Sequence, residues 1–174
     1  MKIKNLLLLV ALTSLLALIS NAQDMGKIDP IVQKQIGASL TSYYALKDAL
    51  VDSDADKANL AAEELLKTFG AIDASKMNAA QRSQWEKHGN SLRIDARHIS
   101  ENEDIAHQRD HFKKLSDNMH AIVVAFKANN AETYWQYCPM KKASWLSNSK
   151  DIRNPYYGSR MLTCGSVKAT LKKN

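Results

Sequence analysis

Residues 103–126 read EDIAHQRDHFKKLSDNMHAIVVAF, and this stretch decides the fold. Its apolar residues recur every three to four positions, the spacing that places side chains on one face of an α-helix. Two acids, Glu103 and Asp104, open the stretch and favour a helix N-terminus because of the helix dipole. The pattern therefore predicts a long amphipathic helix. Its apolar positions are Ile105, Phe112, Leu115, Met119, Ile122, Val123 and Phe126.

Three further helices are predicted upstream of this one. Pro30 suits the opening turn of a first helix, and the run Asp-Ser-Asp at 52–54 ends that helix and offers a new N-cap. A second helix stops near Gly70, and a third begins around Asn78. Four amphipathic segments of about 17–25 residues with short links are typical of an antiparallel bundle.

The composition changes after residue 130. Residues 131–174, which we call the hook, contain both cysteines, two of the three tryptophans and two of the three prolines. Such a stretch predicts a compact segment that is irregular or extended and not helical. The fold class that follows is all-α: an antiparallel four-helix bundle with a short irregular or β C-terminal hook. We expect residues 23–174 to form one domain.

The first 22 residues have the pattern of a secretory signal peptide. Lys2 and Lys4 precede an apolar run, and Ser-Asn-Ala at 20–22 predicts cleavage between Ala22 and Gln23. A permanent transmembrane anchor is the alternative, but the uninterrupted apolar stretch falls short of the roughly 20 residues that a span needs. We therefore expect an exported, periplasmic protein with no stable membrane span after cleavage.

Charge and motifs exclude several classes of function. Cleavage would leave 152 residues and, by removing Lys2 and Lys4 but no acid, would lower the formal charge from +6 to +4. This small surplus is spread along the chain and forms no basic stripe, so nucleic acid is not an expected partner. The chain lacks a Gly-x-Ser-x-Gly elbow, a His-Glu-x-x-His helix and a Gly-rich phosphate loop, so we do not expect an enzyme.

Sulfur is concentrated in the hook. Cys138 and Met140 are two residues apart and would share one face of an extended strand, while Met161 and Cys164 are three apart and would meet across one turn. Turn residues between the two pairs can fold the chain back on itself. Two thiols and two thioethers would then converge, a ligand set that selects Cu(I) and, less specifically, Ag(I) or Zn(II).

A disulfide is the alternative interpretation of the same cysteines. Two cysteines in an exported chain are candidates for a bridge, and the methionines beside them could simply fill a core. A Cys138–Cys164 bridge would close a loop of about 26 residues and stabilise the fold by roughly 3 kcal/mol. Both interpretations can hold together, because a reversible thiol pair could bind metal when reduced and close when oxidised.

Four ordered motifs in the hook resemble the signature of a known bacterial domain. They are Cys-Pro-Met from Cys138, Trp-Leu-Ser from Trp145, Asn-Pro-Tyr-Tyr-Gly from Asn154 and Met-Leu-x-Cys-Gly from Met161. The pattern Gln-Arg-x-x-Phe-x-x-Leu-Ser at 108–116 is similar to the stretch just upstream in that domain, and the resemblance spans roughly residues 31–167.

The domain that these motifs resemble has no assigned function. It is common in exported proteins of Bacteroidetes and is also appended to periplasmic adaptor subunits of copper and silver efflux pumps. The resemblance thus implies a metal ion as ligand and an efflux adaptor or other periplasmic protein as partner. The chain has no adaptor body, so we expect it to act as a free-standing domain in metal sequestration or handover.

Two histidines could contribute to the same site. His107 and His111 are four apart and therefore lie on one helix face, a spacing that suits metal binding; His98 lies nine residues earlier. His107 and His111 would join a mixed site with Cys138, Met140, Met161 and Cys164 if the hook folds onto this helix. The alternative is a solvated histidine pair.

The other conspicuous side chains favour structural roles. Arg109 is expected to pair with an acid or to cap carbonyls of the hook. Trp145, Tyr156 and Tyr157 are expected to form a small apolar core within the hook, whereas Trp135 is expected to pack onto the helices.

Overall fold

The computed structural model describes residues 25–174, which form four α-helices followed by a three-stranded antiparallel sheet. The predicted signal peptide, residues 1–22, lies outside the described residues. Within residues 25–174, no helix combines the length and the hydrophobicity needed to cross a membrane. The prediction of four helices is confirmed, and the predicted hook is built around a small sheet.

The helices follow each other with short links. Helix α1 spans Pro30–Asp52, α2 spans Ala55–Gly70, α3 spans Ala79–Ser100 and α4 spans Ile105–Phe126. A 3₁₀ turn at Ala74–Lys76 joins α2 to α3.

Each helix begins at a cap that the sequence supplies. The side chains of Asp29, Asp54 and Asp104 accept hydrogen bonds from backbone N–H groups in the first turns of α1, α2 and α4. Asn78 and Gln81 form a reciprocal capping box at the start of α3. Because a polar cap satisfies backbone donors that have no partner inside the helix, these residues fix where each helix starts.

The hook contributes three strands in the order β2-β1-β3, all antiparallel. Strand β1 spans Thr133–Cys138, β2 spans Ala143–Ser147 and β3 spans Ser166–Leu171. A tight turn at 139–142 joins β1 to β2. A longer connection containing the 3₁₀ turn Gly158–Met161 leads to β3.

The helices and the hook share one hydrophobic core. Neighbouring helices along the chain pack against each other, and α4 also contacts α1 and β2. The buried apolar side chains of the helices and of the sheet form a single cluster. Its largest fully buried members include Trp145, Tyr43, Phe69, Phe112 and Phe126.

Trp145 and Tyr156 contact each other, but the small apolar core expected within the hook is part of the core that the helices share. Tyr156 lies with its ring centroid 5.8 Å from that of Phe112 in α4 and 6.0 Å from that of Trp145. The hydroxyl of Tyr43 in α1 lies 2.7 Å from that of Ser116 in α4 and accepts a hydrogen bond from the backbone N–H of Leu146 at 3.1 Å. The burial of these large rings stabilises the packing of the hook against the helices.

Trp135 packs as expected. It stacks on His120 of α4 with ring centroids 4.1 Å apart. Burial lowers the pKa of His120, so its imidazole favours the neutral form.

Arg109 ties the hook to the end of α1. Its side chain is buried, and its Nε donates to the carbonyl of Pro155 at 2.8 Å. Its Nη2 donates to the carbonyl of Leu50 and to the hydroxyl of Ser53, both at 2.8 Å. The expectation that Arg109 caps carbonyls of the hook is confirmed, and the same guanidinium also caps the last turn of α1, where the helix dipole favours a cation.

Gly158 packs directly against the Arg109 side chain and Ser53, which together anchor the hook to α1. Its φ is +56°, and a Cβ placed there would lie 2.4 Å from Ser53 Oγ and 2.9 Å from Arg109 Nη2. Only a residue without a side chain can adopt this backbone conformation so near the guanidinium. The glycine that ends the Asn-Pro-Tyr-Tyr-Gly motif is thus explained by the anchor.

Gly158→Ala should lower the free energy of unfolding by about 2–4 kcal/mol, the combined cost of a left-handed non-glycine residue and of overpacking. Gly70→Ala is the matched control, since a Cβ at the end of α2 would meet nothing within 4 Å. The control should change stability by less than about 1 kcal/mol. Urea unfolding followed by circular dichroism measures both, and equal effects of the two substitutions would contradict the close packing at Gly158.

Candidate functional site

The sheet brings the two cysteines together. Cys138 is the last residue of β1, and Cys164 stands just before β3. Since β1 and β3 run antiparallel, with Tyr137 paired to Ser166, the end of one strand lies beside the start of the other. Two residues 26 positions apart therefore become neighbours.

Cys138 and Cys164, which we call the thiol pair, are both free thiols with their sulfurs 3.7 Å apart. Cys138 is fully buried and Cys164 is half-buried. Two sulfurs bound at about 2.3 Å to one tetrahedral ion lie roughly 3.8 Å apart. The separation is also that of two non-bonded sulfurs in contact, so the geometry admits a shared metal ion and, after a further approach, a disulfide.

The surroundings of the thiol pair favour one thiolate. Burial acts to raise the pKa of Cys138, but hydrogen bonds from the Lys141 backbone, the Asn154 side chain, the Cys164 thiol and the Met140 backbone outweigh it, and the pKa is lowered. Burial and the hydrogen bond and charge of Cys138 raise the pKa of Cys164. The first proton therefore leaves Cys138, and Cys164 remains the donor.

Backbone contacts hold Cys164 in place. Asn154 donates from its amide to the Cys164 carbonyl at 2.7 Å, and the Asn154 side chain in turn accepts from the Tyr156 backbone. A Cβ on Gly165 would lie 2.9 Å from the Trp145 ring and 3.0 Å from the Tyr137 carbonyl. The glycine after Cys164 therefore lets the chain approach β1 closely enough for the sulfurs to meet.

The methionines are placed differently from each other. Met140 lies in the turn after β1 and is 63% exposed, so the extended strand expected to align it with Cys138 ends before it. Met161 ends the 3₁₀ turn, is half-buried, and its carbonyl accepts from the Cys164 backbone at 3.1 Å. The expected turn between Met161 and Cys164 is present.

The histidines form a second group of possible ligands, which offers nitrogen atoms in place of sulfur. His107 and His111 share one face of α4, as expected, and they meet His98 from the last turn of α3. We call these three residues the histidine cluster. One ligand nitrogen from each ring lies within 4.8 Å of the other two. Among residues 25–174, this is the one group of three or more His, Cys, Asp or Glu side chains placed to share an ion, and neither cysteine belongs to it.

His98 was not among the predicted site residues. The signal that could have found it is the short link between α3 and α4, which makes a hairpin and brings residues near the end of one helix beside the start of the next. Asp95, one turn before His98, was also missed; its buried carboxylate lies 2.8 Å from Nδ1 of His111.

A salt bridge connects the neighbourhoods of the two groups. Asp110, between His107 and His111 in α4, pairs with the ammonium of Lys141 at 2.7 Å. The backbone N–H of Lys141 donates to the sulfur of Cys138 at 3.4 Å. The hydrogen bond to Lys141 lowers the pKa of Asp110, with the charge of Lys141 adding to the effect. The turn after β1 is thus fastened to the helix that carries two of the histidines.

Comparison with known proteins identifies a family whose function is unknown. A family model described as "Protein of unknown function (DUF3347)" matches residues 40–131, and the chain belongs to this family. No curated protein and no solved structure matches the chain. The matched residues include Arg109 and the histidine cluster and end before the thiol pair.

Replacing Cys164 should make Cys138 a weaker acid. In Cys164→Ala the Cys138 sulfur loses one hydrogen-bond donor, so its pKa should rise and its thiolate fraction at neutral pH should fall. The ultraviolet absorption of the thiolate, followed against pH, measures this. Thr163→Ala, at the exposed neighbouring position, is the control and should leave the pKa unchanged; an unchanged or lower pKa in Cys164→Ala would show that the pair is not coupled.

Proposed function

We propose that this member of the DUF3347 family is an exported, periplasmic protein that binds a soft metal ion, Cu(I) or the chemically similar Ag(I). Its role would be sequestration, or handover to heavy-metal efflux through an adaptor or another periplasmic acceptor. The observation that carries the proposal is the thiol pair, with sulfurs 3.7 Å apart and hydrogen bonds that favour a thiolate at Cys138.

The chemistry of the pair suits a soft ion. A cysteine binds metal as the thiolate, so a lowered pKa raises the affinity at neutral pH. Thiolate and thioether sulfurs select Cu(I) over harder cations. Met140 and Met161 are the thioether ligands in this proposal, and the exposed side chain of Met140 can turn towards the ion without disturbing the core.

The proposed ligands differ in exposure, which suits transfer of the metal ion to a partner protein. Cys138 is fully buried, whereas Cys164 is half-buried and Met140 is mostly exposed. A metal-transfer partner can replace exposed ligands one at a time while the buried thiolate still holds the ion. We propose an antiparallel four-helix bundle as the frame of the site and a role in binding that involves no catalysis.

The second candidate is a structural or interaction domain stapled by a Cys138–Cys164 disulfide. The contact between the two sulfurs favours it, because they need only approach from 3.7 Å to a bond length of about 2.05 Å. Such a bridge would join the end of β1 to the start of β3. The two candidates differ in whether the isolated protein has free thiols and in whether it binds metal after mild reduction.

A Cu(I) titration of the reduced mature protein against a competing chelator tests the proposal. The parent should hold one ion tightly and protect both thiols from alkylation. Cys138→Ser and Cys164→Ser should each lower the Cu(I) affinity by orders of magnitude while the helical circular dichroism persists, because each removes a thiolate ligand and neither residue lies in a helix. Met140→Leu and Met161→Leu should weaken binding less, and Met119→Leu, in the core of α4, should not weaken it.

Two results would overturn the metal proposal. One is Cu(I) binding by the cysteine variants that is as tight as that of the parent. The other is a parent protein that is isolated without free thiols and does not compete for Cu(I) after mild reduction, which would establish the disulfide in its place.

A further inference from the structure

The histidine cluster has the features of a metal site in its own right. His98, His107 and His111 come from two helices. The rings of His98 and His111 stack nearly parallel with centroids 4.3 Å apart, and the ring of His107 is tilted with its centroid 4.6 Å from that of His111. Three nitrogens bound to one tetrahedral ion at about 2.0–2.1 Å lie roughly 3.3–3.4 Å apart. One nitrogen of each ring lies within 4.8 Å of the other two, and rotation of the exposed His98 ring out of its stack on His111 would aim the three nitrogens at one ion.

Asp95 orients the ring of His111 through a hydrogen bond. A carboxylate only accepts hydrogen bonds, so Nδ1 of His111 carries the proton in its 2.8 Å contact with Asp95. In the neutral imidazole, the other nitrogen, Nε2, then has a free lone pair. Metal-binding histidines almost always donate their second nitrogen to such an acceptor, which fixes the ring and makes it a better ligand.

The hairpin that carries the cluster is held rigidly. Gln108, between His107 and His111, donates from its side-chain amide to the carbonyl of Asn102 in the link at 2.7 Å and to that of Ala55 at the start of α2 at 3.1 Å. These bonds hold the start of α4 against the link and against the start of α2. The rings of His107 and His111 are half-buried and that of His98 is exposed, so an ion can enter from solvent.

From these contacts we infer that His98, His107 and His111 form a second metal site, which binds a divalent ion of the Zn(II) and Cu(II) class with Asp95 as the orienting residue. Imidazole nitrogens without sulfur suit these borderline ions, whereas the thiol pair suits Cu(I). Three protein ligands leave the fourth position to water, which is the arrangement of an open site. The site does not depend on the thiol pair.

The thiol pair must be removed to test the cluster alone, because Zn(II) also binds thiolates. The starting protein is therefore the mature chain with both Cys138→Ser and Cys164→Ser, titrated with Zn(II) against a chromophoric chelator. It should bind one Zn(II), and Co(II) substituted for Zn(II) should give a tetrahedral spectrum without thiolate charge transfer.

Histidine variants in this background identify the ligands. His98→Ala should abolish the tight binding, and so should His111→Ala. His88→Ala is the matched control on α3, where His88 contacts Asn118 and lies outside the cluster; it should bind Zn(II) like its parent. Asp95→Asn should weaken binding by about 10- to 100-fold, the usual cost of losing an orienting partner. Circular dichroism of each variant confirms that the helices persist.

The inference is overturned if the thiol-free protein binds no Zn(II), or if His98→Ala binds it as tightly as His88→Ala does. Either result tests only the histidine ligands, because the thiols have been removed. It leaves the Cu(I) titration of the parent chain unaffected, so a failure of this site and a failure of the proposed function are seen in different experiments.

Discussion

The buried guanidinium of Arg109 is the interaction on which the arrangement of the hook depends. A cation taken out of water needs its donors satisfied, and here neutral acceptors do so: the carbonyls of Leu50 and Pro155 and the hydroxyl of Ser53. Burial lowers the pKa of Arg109, and the nearby Arg160 lowers it further. Because its donors reach both the end of α1 and the hook, the guanidinium fixes one relative to the other.

The position of the thiol pair follows from that anchor. Pro155 is held by Arg109, and its neighbour Asn154 holds the carbonyl of Cys164. Cys138 is placed independently, as the last residue of a strand in the middle of the sheet. The two sulfurs meet because a segment fastened to the helices returns to the sheet, so the spacing of the thiols depends on contacts made far from the sulfur atoms.

Sequence patterns predicted the helices well because local chemistry determines where they start and stop. The caps Asp54, Asn78 and Asp104 lie where the sequence predicts helix starts, since a polar side chain beside an apolar repeat needs no distant partner to act. The turn before Cys164 was predicted for the same reason. The metal ligands themselves remain predictions.

Features that depend on distant contacts could not be predicted in the same way. Met140 was expected on an extended strand but lies in a turn, because β1 ends where it turns into β2. His98 joins the other histidines only because the helix hairpin closes at a particular angle. The aromatic residues of the hook were expected to form a core within it, but they are part of the core shared with the helices. Packing against the helices is favoured because it removes more apolar surface from water.

X-ray absorption at the copper edge, measured on the mature parent chain loaded with one equivalent of Cu(I), tests the sulfur site most directly. Sulfur alone should surround the ion, with the thiol pair supplying the two shortest bonds. Imidazole nitrogens around Cu(I) would contradict the assignment of the soft ion to the hook.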